Sequence, residues 1–187
     1  MIDKIVDYQI KEKYIQEKEK NIYRYAYTVF IEECINIIIS FFIGIFFRKL
    51  LFTICYLFSY ISLRKFAGGY HSKSKWNCRV ISLFLIVFSC VFDELFFETI
   101  KRENLYLFDI IAQIIILILT PIEAKEKKLG IEQKKDNRII TIKILLFQEI
   151  FLFISIIFNF VIILKSIICS HIMLSIMMII GRIKNNS

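Results

Sequence analysis

One stretch of the chain gathers residue types that do covalent chemistry: Arg64-Lys-Phe-Ala-Gly68-Gly69-Tyr-His71-Ser-Lys-Ser-Lys-Trp-Asn-Cys78-Arg79. A cysteine attacks carbonyl carbon as its thiolate, and nearby cations stabilise that anion. Arg79 is adjacent to Cys78, while Lys75, Lys73 and Arg64 are close in sequence. His71 suits a base that takes the thiol proton and later gives it to a leaving amine. Gly68 and Gly69 let a substrate backbone come close, and their N–H groups suit an oxyanion. Blander readings stand beside this one. A single interfacial histidine is most often just solvated, and a single cysteine near a membrane is most often inert or lipidated. The pair as zinc ligands is a third reading, but the chain has one other His and no Cys2His2-type spacing. No metal and no cofactor are expected.

The spacing of His71 and Cys78 limits what can hold them. Seven residues of helix separate side chains by about 10 Å along the axis. A working pair therefore excludes one regular helix through both. A turn or helix start near Ser72 or Ser74 is expected instead.

The elements around this stretch are those of a membrane protein. Apolar residues make up 57% of the 187, aromatics 16%, with nineteen Phe, five Gly and one Pro. Mean hydropathy is +0.63. Soluble folds of this size need many turns, which Gly and Pro usually supply. The composition excludes a disordered chain, a disulfide scaffold and a water-soluble enzyme. Cys34, Cys55, Cys90 and Cys169 sit in apolar runs, so Cys78 alone is in polar surroundings. The charged start of the chain does not resemble a cleavable signal peptide.

Six apolar runs can be marked, at 26–47, 50–63, 80–97, 105–122, 144–164 and 166–181. A full span takes about 20 apolar residues. The fold class expected is an all-α polytopic membrane protein with about six membrane segments, four to six of them full spans. The second and sixth runs are short enough for re-entrant hairpins. Residues 1–24 carry Ile2, Ile5, Val6, Ile10 and Tyr14 at helical spacing, which predicts an interfacial amphipathic helix. A plain charged tail is the alternative. One integral-membrane domain covers 1–187.

The net charge of +8, from 25 basic and 17 acidic residues, reads as topology rather than nucleic-acid binding. Basic residues collect in the 64–79 segment, in a loop at 123–143 and in the tail. The positive-inside rule puts all three in the cytoplasm. The 48–49, 98–104 and 165 connections then face outward. Lys125, Lys127, Lys128, Lys134 and Lys135 make the 123–143 loop a candidate surface for an acidic partner, or for anionic lipid.

The run Arg-Lys-Phe-Ala-Gly-Gly-Tyr-His, with Cys seven residues after the His, resembles the AgrB family (accessory gene regulator protein B). These are membrane cysteine endopeptidases of Gram-positive quorum sensing. The resemblance extends over most of the chain, including Thr120-Pro121 leading into a Lys-rich loop. One departure is the lack of a second proline near Lys127-Lys128-Leu129. The resemblance implies a multi-pass protein of the bacterial cell membrane acting on an AgrD-like propeptide at the cytoplasmic face. By motif position, Cys78 is the nucleophile and His71 the base. Removal of an acidic tail through a Cys78 thioester, then cyclisation to a thiolactone or lactone, follows from that likeness. A homodimer is compatible with it.

Ionisable groups inside apolar runs are functional candidates by default. Here they include Glu32, Glu33, Asp93, Glu94, Asp109, Glu149 and His171. For most, snorkelling or a structural partner suffices. Glu149 is singled out as a group that could orient His71, and Arg64 as one that steadies an acyl intermediate or a substrate tail. Two other functions remain open: a non-enzymatic peptide exporter or channel, and a lipid-modifying transferase built on His71.

Overall fold

The computed structural model describes residues 2–69, 75–97, 99–100, 102–123 and 129–186. Regular structure among them is helical: α1 Ile2–Lys11, α2 Lys20–Phe46, α3 Leu50–Ala67, α4 Lys75–Leu95, α5 Arg102–Leu119, α6 Ile131–Ile157 and α7 Val161–Asn186. Four helices, α2, α3, α6 and α7, are long and apolar enough to cross a membrane, and α5 carries a shorter apolar stretch, Asn104–Leu119.

The chain divides into two compact units, Met1–Ser40 and Phe41–Ser187. In the first, the expected single helix over 1–24 is broken. α1 stops at Lys11, Lys13 takes a left-handed φ of 60°, and Glu17–Glu19 form a 3-10 turn before α2. The chain thereby doubles back on itself. Lys20 Nζ meets Asp7 at 2.6 Å, Arg24 Nε meets Asp3 at 2.9 Å, and Gln9 donates to the Tyr27 hydroxyl at 2.7 Å. Val6 is buried, as its place on the apolar stripe predicts, whereas Tyr14 falls beyond α1 and is exposed.

In the second unit α7 is the hub, touching α3, α5, α6 and α4. Its most apolar stretch is 67% buried within the protein, against 11% for that of α2. Small side chains let neighbours approach it: Ser166, Ser170 and Ser175 are all buried on α7. Two apolar clusters stack along the bundle. One holds Phe52, Tyr56, Ile168 and Met173; the other holds Leu63, Ala67, Ile116, Leu145, Leu174 and Met178.

Contacts at the two ends show that successive helices alternate in direction. At one end Lys49 Nζ, just before α3, pairs with Asp93 near the end of α4 at 2.9 Å and donates to Cys90 O at 3.0 Å. Lys165, early in α7, approaches the same Asp93 at 3.8 Å. At the other end, the last turn of α3 meets the chain leaving α5.

Two boundaries differ from expectation. The break between the fifth and sixth segments falls at 158–160, with Asn159 at φ 54°, and not at Lys165. Asn159 is the turn-forming residue there, but as a lone polar residue between Phe158 and Phe160 it left the run 144–164 reading as unbroken. The sixth segment is consequently a full-length helix rather than a short one. Second, residues 131–143, expected within a loop, form the first turns of α6. Their alternation of Lys, Asp, Asn and Arg is a solvated helical face, which hydropathy alone cannot tell from a loop.

Candidate active site

The end of α3 is shaped by its two glycines. Gly68 has φ 78° and ψ −150°, a region in which side-chain-bearing residues are strained, and its N–H closes the helix on Arg64 O at 3.1 Å. A parallel bridge joins Gly68 to Ile122, and Ile122 N–H donates to Ala67 O at 2.9 Å. A Cβ on Gly68 would lie 2.1 Å from Ile122 O. Gly69 has φ 131°, and the Arg64 guanidinium occupies the space where its Cβ would be. Arg64 Nη1 donates to Gly68 O at 2.9 Å. Within the motif, then, Arg64 reaches forward one turn and braces the glycine pair. The Gly68 N–H is committed to the helix end, so the oxyanion expectation rests on Gly69.

Cys78 sits in the first turn of α4, half-buried, with Arg79 also half-buried beside it. The start of a helix presents unpaired N–H groups and the positive end of the helix dipole, both favourable to an anion. Ser82 Oγ donates to Cys78 O at 3.0 Å, and the Arg79 guanidinium lies over the Trp76 ring at 6.0 Å. Tyr60 on α3 lies within electrostatic range of both Cys78 and Arg64. No sequence signal singled out Tyr60, because its proximity to Cys78 is created by helix packing. The turn or helix start expected near Ser72 or Ser74 lies outside the described residues.

His71 lies outside the described residues, as do Lys125, Lys127 and Lys128. Lys134 and Lys135 stand exposed in the opening turns of α6, and Lys134 pairs with Glu123 at 2.7 Å. Glu149 accepts from Gln113 on α5 and belongs to a buried polar cluster with Asp109 and His171. Gln113 and Gln148, which organise that cluster, went unremarked in the sequence. Extending the search for polar residues in apolar runs from charges to amides would have found both.

Fold and site together define a polytopic all-α membrane protein with a motif-borne thiol at a helix start. The chain belongs to the accessory gene regulator B (AgrB) family, whose model matches residues 2–180. It is 28% identical over 141 residues to a Clostridium perfringens (strain SM101 / Type A) protein whose name calls it AgrB-like. A second AgrB-like protein by name, from C. perfringens (strain 13 / Type A), is 26% identical over 141 residues. Each match covers 72% of this chain and 65% of the relative, so the chain matches somewhat under two thirds of their length. No solved structure matches the chain.

Proposed function

We propose that the chain is a membrane-embedded cysteine endopeptidase that processes an AgrD-like propeptide for quorum sensing. The observation that carries this reading is Cys78: a half-buried thiol in the first turn of α4, next to Arg79, in a chain of the AgrB family. His71 takes the Cys78 proton, and Sγ attacks the carbonyl carbon of the peptide bond before the acidic tail. The tetrahedral oxyanion collapses, the C–N bond breaks, and His71 protonates the leaving amine. A Cys78 thioester remains. The propeptide's own Cys thiol, or a Ser hydroxyl, then attacks that carbonyl. Its new bond forms as the Cys78 S–C bond breaks, and its proton returns through His71 to Cys78. Thioester exchange conserves most of the bond energy, so no nucleotide is consumed.

The remaining residues support this scheme in distinct ways. Arg64 braces the Gly68–Gly69 turn from which the chain runs toward Cys78. Lys135 and its basic neighbours on α6 are complementary in sign to an acidic tail. The positive charge of these segments supports a site on the cytoplasmic face, where the propeptide is made. The test is co-expression with an AgrD-like propeptide, using wild type, Cys78→Ala and His71→Ala. Release of the tail by wild type alone supports the reading. Undiminished release by Cys78→Ala overturns it and favours an exporter or transferase.

A further inference from the structure

About 9 Å along α7 from Met177, whose carbonyl lies beside Gly69, is a polar cluster that peptide processing does not use. Asp109 on α5, Glu149 on α6 and His171 on α7 each offer one ligand atom, and these atoms all lie within 4.8 Å of one another. His171 and Asp109 are buried, while Glu149 is half-buried and opens the cluster to one side.

The hydrogen bonds fix which atoms of His171 and Asp109 face each other. Gln148 Nε2 donates to the carbonyl of Ser59 at 3.1 Å and to Ser62 Oγ at 3.2 Å. A carbonyl only accepts, so the amide nitrogen faces α3 and Oε1 faces His171. His171 Nε2 therefore carries a hydrogen and donates to Gln148 Oε1 at 2.7 Å. Nδ1 is left directed at Asp109 Oδ1, also at 2.7 Å. Gln113 Nε2 holds the other Asp109 oxygen, Oδ2, at 2.6 Å and donates as well to Glu149 Oε1.

His171 and Asp109 thus each turn one donor atom toward the other while an amide holds the far side, and the same Gln113 amide also holds Glu149. That is how metal centres orient their ligands: the imidazole gives its far N–H to an acceptor, and the carboxylates are hydrogen-bonded in turn. Charge points the same way. Once the proton held between Nδ1 and Oδ1 is displaced, two carboxylates and a neutral imidazole sum to −2, and among the described residues no Lys or Arg pairs with Asp109 or Glu149. Negative charge inside apolar helices is costly; the shared proton offsets one of the two carboxylates, and a dication in its place offsets both.

We propose that Asp109, Glu149 and His171 form an intramembrane site for a first-row transition dication of the Zn2+ class. The imidazole nitrogen selects this class over Mg2+ and Ca2+, which prefer all-oxygen shells. The ion replaces the proton shared by Nδ1 and Oδ1, and that proton passes to solvent. With metal bonds near 2.1 Å, those two atoms must part to about 3.3 Å, a shift within side-chain rotation. The ion would clamp α5, α6 and α7 together, away from Cys78, and stabilise the bundle on binding.

The test is titration of the purified full chain in detergent with Co2+. The proposal expects one Co2+ per chain, with ligand-field absorption that Zn2+ abolishes. Cys78→Ala should bind as wild type does. Glu149→Gln retains an oxygen to accept from Gln113, yet should weaken binding at least about 100-fold, and Asp109→Asn should do the same. If either variant fails to fold, X-ray absorption of the Zn2+-loaded wild type decides alone. A shell of nitrogen and oxygen supports the site, and sulfur in the shell overturns it. Absence of stoichiometric binding, or affinity unchanged in the folded variants, overturns it too.

Discussion

Replacing Gly68 by Ala tests the geometry of the motif directly. At φ 78° and ψ −150° an alanine is strained by about 1–3 kcal/mol. Its Cβ would also stand 2.1 Å from Ile122 O, so the strand-like contact must open. Losing the Ile122 N–H to Ala67 O bond adds about 0.5–1.5 kcal/mol. The sum is about 2–4 kcal/mol, a factor of roughly 30 to 1,000 in the folding equilibrium. Gly130→Ala is the matched control. Nothing lies within 4 Å of a Cβ there, and φ is −63°. Its cost should stay within about 0.5–1 kcal/mol, the weaker helix cap being offset by a stiffer unfolded chain. The assay is thermal unfolding in detergent followed with a thiol-reactive dye, since Cys90 and Cys169 are buried and react only on opening. Gly68→Ala should unfold at clearly lower temperature and also lose propeptide cleavage. A Gly68→Ala protein as stable as Gly130→Ala would refute the reasoning.

Two further outcomes follow from buried polar pairs. Lys49→Met leaves Asp93, among the described residues, with the more distant Lys165, and should cost about 3 kcal/mol by thermal unfolding, whereas Lys49→Met with Asp93→Leu should cost markedly less than the two single changes summed. Gln148→Leu strands the buried His171 Nε2–H and should destabilise by about 1–3 kcal/mol in the same assay, while Gln133→Leu, which removes only the exposed cap on the Gly130 N–H, should cost less, within about 1 kcal/mol.

What the sequence made legible, and what it hid, divides by the range of the interactions. Helical membrane segments follow from apolar runs, which are local, and four of the six predicted segments begin or end within about three residues of an observed helix terminus. The ends drifted where a lone Asn159 within an apolar run makes the break, and where a polar helix face mimicked a loop, as at 131–143. In the candidate site, the special backbone at Gly68 and Gly69 was readable because glycine is the residue such angles demand. Arg64 was noted as part of the motif, but its forward reach to Gly68 O is a matter of rotamer and turn geometry. The Asp109–His171–Gln148 chain joins residues 62 and 23 positions apart on three helices, so only packing brings it into being. The sequence drew attention to each charge singly and proposed that Glu149 orients His71. The structure sets Glu149 beside Gln113, Asp109 and His171.

The central claim is that Cys78 carries the acyl group, and mass mapping of the acyl-enzyme tests it most directly. The full chain in detergent is incubated with an AgrD-like propeptide whose own nucleophilic Cys is replaced by Ala, so that the thioester cannot pass on to a ring. The account predicts an adduct of the propeptide without its tail on the peptide containing Cys78, discharged by hydroxylamine and absent from Cys78→Ala. Tail release with no adduct on Cys78, or an adduct that persists in Cys78→Ala, would contradict it.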